Sequence, residues 1–147
     1  MEYTGLLVLH LLGACIWTGG QLILSTRMLP AAIKAGDPSP VLDFDARFRL
    51  LGHIALGAQL LTGFRLAQIN LPMWAWFGFE GYASTHITAK LVLLLMTVVM
   101  AIVARRRVMR TLTPETLGAA AVHIVAMSVV AVLLVLVGLG FRVGGIF

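Results

Sequence analysis

Four long runs of apolar residues alternate with short polar segments along the chain. Each run is longer than the about 20 residues that a helix needs to cross a hydrocarbon layer of roughly 30 Å. The pattern predicts transmembrane helices over Thr4–Thr26, Phe48–Ile69, Tyr82–Ala104 and Thr116–Gly140. Because consecutive spans with short connections must reverse direction, we expect an all-α fold, an integral membrane antiparallel four-helix bundle in which residues 1–147 form a single domain.

The second run is more polar than the other three. It contains Gln59, Thr62 and Arg65. Ionisable side chains within a membrane almost always face the protein interior, so we expect neighbouring helices to shield this span from lipid. A turn at 36–40 and an aromatic connector at 70–81 separate the runs, together with a basic segment that precedes the fourth run.

The composition excludes a water-soluble domain. Hydrophobic residues make up 60% of the chain and charged residues 12%, against about 45–50% and about 25% in soluble proteins. The single cysteine, Cys15, excludes a disulfide scaffold within the chain. The net charge is +5. In a membrane protein, excess Lys and Arg residues usually set the topology and contact anionic lipids. The expected partner is therefore the lipid bilayer and not a nucleic acid.

Basic residues cluster at the first and third connections. Eight of the eleven lie there: Arg27, Lys34, Arg47, Arg49, Arg105, Arg106, Arg107 and Arg110. Because positively charged connections stay in the cytoplasm, we expect the N-terminus, the aromatic connector and the C-terminus on the outer side. The predicted location is a bacterial-type inner membrane, which the chain crosses several times.

Each of the four predicted spans contains one histidine. At about 1.5 Å of rise per residue, His10 and His86 share a depth below the outer surface, and His53 and His123 share a comparable depth on the inner side. Imidazoles from two helices are typical axial ligands of a haem iron in a helical bundle. The sequence therefore predicts one or two haem b groups. The alternative is a set of hydrogen bonds between helices.

Small and aromatic residues flank two of these histidines at helical spacing. Gly13 and Trp17 share a face with His10, and Gly57 shares a face with His53. We expect this lining to leave room for a flat macrocycle.

Three basic side chains within the spans are further candidates for cofactor binding. Lys90 lies four residues after His86, where it would bind an acidic group, carry protons or replace a histidine as an iron ligand. Arg49 and Arg65 would pair with haem carboxylates, because a guanidinium binds a carboxylate through two parallel hydrogen bonds. Their alternative role is anchoring to lipid phosphates.

Two other features have less specific chemistry. The aromatic connector is typical of an interfacial belt, and a lid or a quinone-docking surface is the more specific alternative. Met96, Met100 and Met127 are spaced to meet one another, and thioethers bind Cu(I). Methionine also fills irregular gaps between helices.

Several motifs resemble a known membrane protein family. The segment from Leu9 to Gly20, followed by Pro30, resembles the first helix shared by copper-resistance D (CopD-like) proteins and HemJ-type protoporphyrinogen oxidases. The stretch from Lys90 to Leu95, with the basic residues at 105–107, is similar to their third helix, and 61–63 resembles the CopD-like second helix. The CopD-like branch implies copper handling across the inner membrane. The HemJ-type branch implies porphyrinogen oxidation, with His10 and Lys90 as the haem-linked positions.

These observations favour a haem b-binding integral membrane protein that transfers electrons, with an outer pair of histidines and an inner pair. The alternatives are copper transport or copper binding through His10, His86 and Met96, and a HemJ-type protoporphyrinogen oxidase. An assembly subunit without a cofactor is a further alternative. A quinone, a small oxidant or a redox partner protein remain open as the electron partner, and a homo-oligomer remains open as the assembly.

Overall fold

The computed structural model describes residues 1–79 and 81–143. This part of the chain has no strand and contains four long helices: α1 (Glu2–Ala35), α2 (Ser39–Asn70), α3 (Tyr82–Val108) and α4 (Leu117–Val143). All four are long and apolar enough to cross a membrane. This confirms the predicted all-α class and is the pattern of a multi-pass membrane protein. The predicted outer position of the C-terminus concerns residues 144–147, which lie outside the described residues.

The first two helices extend well past their predicted spans on the side of their shared turn. α1 continues to Ala35 and α2 begins at Ser39. The turn is made at Gly36, which adopts the left-handed conformation with φ 64° and donates its N–H to Ile33 O at 3.2 Å. The apolar runs are shorter than the helices because both helices continue with mixed polar and apolar residues.

Asp37 lies in this turn, two residues before the first residue of α2. Its Oδ1 accepts hydrogen bonds from the Ser39 hydroxyl at 2.7 Å and the Ser39 N–H at 2.9 Å. Both bonds favour the ionised carboxylate, so they hold the pKa of Asp37 below its ordinary value.

Two helices contain a π-helical turn near the same end of the protein. These turns span Leu24–Met28 in α1 and Ala104–Val108 in α3. In the second, the Met109 N–H bonds to Ala104 O at 2.9 Å, one residue further back than in an α-helix. Such turns are frequent at functional sites in other proteins.

Neighbouring helices contact each other in reversed chain order. His10 contacts Thr62, whereas Gly20, further along α1, lies against Phe48, nearer the start of α2. α3 packs on α4, and α4 packs on α1, through contacts that include Tyr82 with Gly140, Met100 with His123, and Gln21 with Ser128. α1 and α4 therefore lie next to each other, with α2 on one side and α3 on the other.

The main apolar core lies at the end of the protein where α1 and α2 are joined. Ala32, Val41 and Ile124 are almost fully buried there. A second cluster lies further along the helices and contains Trp17, Ala55, Met127 and Ala131. Most other large apolar side chains on the spans are exposed, as expected for surfaces that contact lipid.

The aromatic connector folds against the start of α3. Trp76 is buried, and its Nε1 donates to Leu71 O at 2.8 Å. The Ser84 hydroxyl donates to Ala75 O at 2.8 Å. Four other large side chains of the connector are exposed: Met73, Trp74, Phe77 and Phe79. This exposure is compatible with the predicted interfacial belt.

Candidate functional site

A cleft, called the inner cleft below, lies between the four helices at the end with the π-helical turns. The empty volume of the inner cleft is about 620 Å³, including its open mouth. The enclosed part of this space is small. Four of the predicted site residues line the inner cleft: Trp17 of α1, Arg49 and His53 of α2, and His123 of α4.

Two histidines from different helices line the inner cleft. His53 of α2 is exposed at its surface, and His123 of α4 is partly buried. Nε2 of His123 is 3.0 Å from the Met100 carbonyl oxygen, to which it donates a hydrogen bond. A neutral His123 ring with its proton on Nε2 keeps a lone pair on Nδ1. The cleft thus places two potential nitrogen ligands on its walls.

Two arginines approach the same carboxylate at the edge of the inner cleft. Arg49 Nη2 and Arg105 Nη1 are each 3.4 Å from Asp45 Oδ2. Arg49 and Asp45 belong to α2, and Arg105 belongs to the π-helical turn of α3. The ion pairs join the two helices across the cleft and leave an excess of positive charge there.

Three buried polar atoms, on residues that line the inner cleft, have no hydrogen-bond partner among the described residues. They are Trp17 Nε1, Gln21 Oε1 and Arg49 Nε. Trp17 is 8% exposed and Gln21 is 6% exposed. Leaving such a group unpaired costs about 1–3 kcal/mol, so polar atoms of this kind usually meet a ligand or water.

The π-helical turns form part of the same walls. Leu24 of the first turn lines the inner cleft, as do Ala104 and Arg105 of the second. Arg105 lies within the second turn and next to Asp45.

On the other half of the protein, His10 is oriented by a hydrogen bond between α1 and α2. Its Nδ1 is 2.9 Å from Thr62 Oγ1, and the Thr62 hydroxyl itself donates to Ala58 O at 2.5 Å. Since the hydroxyl proton is used, His10 Nδ1–H is the donor to Thr62. The neutral His10 ring therefore keeps its lone pair on Nε2, the usual arrangement of a metal-binding histidine.

Gly63 gives the His10 ring its space. A Cβ at Gly63 would lie 3.0 Å from His10 Cε1, closer than such atoms normally approach. The Gln59 side-chain amide also donates to the His10 carbonyl oxygen. Residues 59–63 of α2, which make less than two helical turns, thus fix one histidine of α1.

Lys90 lies against α4. Its Nζ is 5.8 Å from the centre of the Phe141 ring, and 3.4 Å from the position of a Cβ on Gly138. The lysine therefore belongs to the contact between α3 and α4.

His86, the predicted partner of His10, makes contacts of its own. Nδ1 donates to Tyr82 O at 2.9 Å, and its ring centre is 3.9 Å from that of Tyr82. The ring also lies 6.3 Å from that of Phe141, the side chain beside Lys90. His86 and Lys90 thus share an aromatic neighbour.

The remaining predicted residues have other surroundings. Arg65 forms an exposed ion pair with Glu2 at 2.8 Å. Gly13 lets α1 approach α2, because a Cβ there would lie 2.9 Å from Gln59 Nε2 and 3.1 Å from Ala55 O. Gly57 has open space at its Cβ position. These three residues are not among those that line the inner cleft, where Gly52 occupies the position next to Trp17 and Phe48.

The sequence-based predictions do not include Asp45, and they include Arg105 only among the basic residues that set topology. Asp45 lies one turn before Arg49, and Arg105 lies next to Asp45. The helical spacing from Arg49 is the signal that could have found Asp45.

Within the described ranges, no three His, Cys, Asp or Glu side chains converge as a group that could hold a metal ion. Comparisons of the chain with protein-family models, curated proteins and solved structures gave no match.

Proposed function

We propose that the protein binds haem b within the membrane and transfers electrons. The observation that carries this proposal is the inner cleft, which has imidazoles of two different helices on its walls and two arginines at its edge. His53 and His123 would ligate the inner haem. The donor set fits a porphyrin, because haem needs only two axial ligands and not a cluster of three or more.

The other residues of the inner cleft supply what a bound haem requires. Arg49 and Arg105 would bind its carboxylates. Apolar side chains such as Ile124 and Met127 exclude water from the macrocycle. When bound, haem supplies a one-electron couple, which these surroundings would tune.

A second haem in the outer half is part of the proposal. His10 is the first ligand, since Thr62 already orients its ring and leaves Nε2 available. His86 is the second ligand, with Lys90, which shares the neighbour Phe141 with it, to pair with a haem carboxylate. Two haems in one chain would pass electrons between the two halves of the membrane.

The remaining parts of the proposal concern the setting. We place the protein in a bacterial-type inner membrane with the basic connections in the cytoplasm. A lipid-soluble quinone or a redox partner protein would exchange electrons with it. Assembly into a homo-oligomer is compatible with the large exposed apolar surfaces.

The test is haem content and spectrum of the purified chain. We expect two haems per chain and a reduced-minus-oxidised spectrum typical of two imidazole ligands. His53→Ala and His123→Ala should each lose the inner haem, and His10→Ala should lose the outer haem. Each group of variants keeps the other haem and is therefore the control for the other group. A colourless protein, or one that retains copper instead, would contradict the proposal.

A second candidate is a HemJ-type protoporphyrinogen oxidase. The observation that favours it is the hydrogen bond from His10 to Thr62, which leaves Nε2 available at one of the two positions, His10 and Lys90, that the resemblance links to haem. Lys90→Met would then abolish oxidation of protoporphyrinogen by the purified protein. Absence of this oxidation by the haem-loaded wild type would dismiss the second candidate and leave electron transfer as the function.

A further inference from the structure

The inner cleft has a floor and two walls. α1 and α4 pack on each other and form the floor, which includes Trp17 and Met127. α2 forms one wall, with His53, and α3 forms the other, with Ala101. α2 packs on α1 and α3 packs on α4, whereas the described residues of α2 and α3 make no extensive contact with each other. The mouth of the cleft therefore lies between α2 and α3, on a side of the protein that faces the bilayer.

Side-chain contacts join the two walls at both ends of this mouth. At the end near the α1–α2 turn, Arg105 Nη1 of α3 is 3.4 Å from Asp45 Oδ2 of α2. At the other end, the Phe64 ring of α2 packs edge-on against Trp76 of the connector, with ring centres 5.2 Å apart. The Thr88 hydroxyl of α3 donates to Trp76 O and holds the connector on α3.

The ion pair is the weaker of these two contacts. Its N–O distance is longer than the about 2.7–2.9 Å of a strong charge-assisted hydrogen bond. The side chains of Arg105 and Asp45 are 45% and 25% exposed, and Arg49 shares the same carboxylate oxygen. Exposed ion pairs contribute little to stability. Separation of α2 from α3 at this end thus breaks little packing and leaves the contact between α1 and α4 intact.

We propose that the inner cleft opens to the bilayer between α2 and α3, where the Arg105–Asp45 ion pair is the contact that yields. This inference rests on the proposed function for the identity of the ligand, and it adds the route: haem enters the inner cleft from the lipid and not from the cytoplasm. The small enclosed part of the cleft requires its walls to separate before such a ligand is admitted.

The test is labelling of single cysteines in the full haem-free chain, in a Cys15→Ala background and in phospholipid vesicles. Met127→Cys places a thiol on the floor of the cleft, where Met127 is buried. Ala131→Cys is the matched control, because Ala131 is buried in the same cluster one turn further along α4 but does not line the cleft. We expect an apolar maleimide dissolved in the bilayer to label Met127→Cys much faster than Ala131→Cys, because a local opening costs less free energy than separation of the whole bundle. A charged maleimide on both sides of the vesicles should label Met127→Cys more slowly than the apolar reagent does.

Removal of the ion pair should make the opening more frequent. Arg105→Gln should raise the rate at which the apolar reagent labels Met127→Cys by about twofold to fivefold, the effect of losing an exposed ion pair. Arg106→Gln is the control, because it removes the same charge from the next residue and leaves the ion pair in place. Asp45→Asn tests the same contact from α2, and serves if Arg105→Gln does not fold.

The outcomes separate the inference from the function on which it rests. Faster labelling of Met127→Cys by the charged reagent, or equal labelling of Ala131→Cys, overturns the inference while haem binding stands. Unchanged labelling in both Arg105→Gln and Asp45→Asn overturns the role of the ion pair. A purified chain that binds no haem overturns the proposed function, and the labelling of the haem-free chain is then still a measure of the opening.

Discussion

Single hydrogen bonds decide which nitrogen each histidine offers. His10 donates from Nδ1 to Thr62, and His86 donates from Nδ1 to Tyr82 O, so both keep Nε2. His123 instead donates from Nε2 to Met100 O, so its accessible nitrogen in this arrangement is Nδ1. A histidine in the sequence predicts a ligand. The hydrogen-bond partner of its ring determines which ring nitrogen can ligate.

Removing the Thr62 hydroxyl should weaken haem binding in the outer site. In Thr62→Val the His10 ring loses its acceptor, and loss of such an orienting partner typically lowers metal affinity about 10–100-fold. Haem titration of the His53→Ala protein, which keeps only the outer site, measures the effect. Thr97→Val is the control, because Thr97 is equally buried but donates only to Leu93 O of its own helix. Equal haem affinity in the two variants would refute the role of Thr62.

At the scale of the helices, close contact between α1 and α2 depends on glycines of α1. Gly13 lies against the α2 backbone, and Gly20 lies against the Phe48 ring. Gly19, the residue before Gly20, has open space at its Cβ position. Two adjacent glycines therefore have opposite roles, because only one of them faces α2.

Alanine at these two positions should have opposite effects on stability. In Gly20→Ala the new methyl group overlaps the Phe48 ring, and we expect a loss of about 1–3 kcal/mol. Gly19→Ala meets no neighbour and should be neutral or stabilising, since alanine favours a helix by up to about 1 kcal/mol over glycine. Thermal unfolding in detergent compares the two variants. Equal destabilisation by both would show that α1 does not pack on α2 through Gly20.

At the scale of the whole molecule, polar and charged groups are distributed unequally between the two ends. The end with the α1–α2 turn contains the large apolar core, the two π-helical turns and the exposed arginines at 105–107. The other end has the aromatic connector, with Trp74 85% exposed. The positive-inside rule predicts that the first end faces the cytoplasm.

Labelling of single cysteines in intact cells tests this orientation. In a Cys15→Ala background, Trp74→Cys should react with a membrane-impermeant thiol reagent added outside. Arg106→Cys should react only after the membrane is permeabilised, because the basic segment is predicted to be cytoplasmic. The reverse labelling pattern would invert the proposed topology and the assignment of inner and outer sites.

The sequence by itself determined that the protein has four apolar helices, because a hydrocarbon layer requires a minimum length of apolar residues that can be counted. It also indicated the histidines and Arg49 as candidate site residues, since ionisable groups are costly within apolar runs. It could not determine their neighbours. The tertiary structure decided that His53 and His123 line one cleft, that Arg65 pairs with Glu2, and that Gly13 serves a helix contact. Helix rotation and the two π-helical turns set these contacts, and both depend on packing between segments distant in the chain.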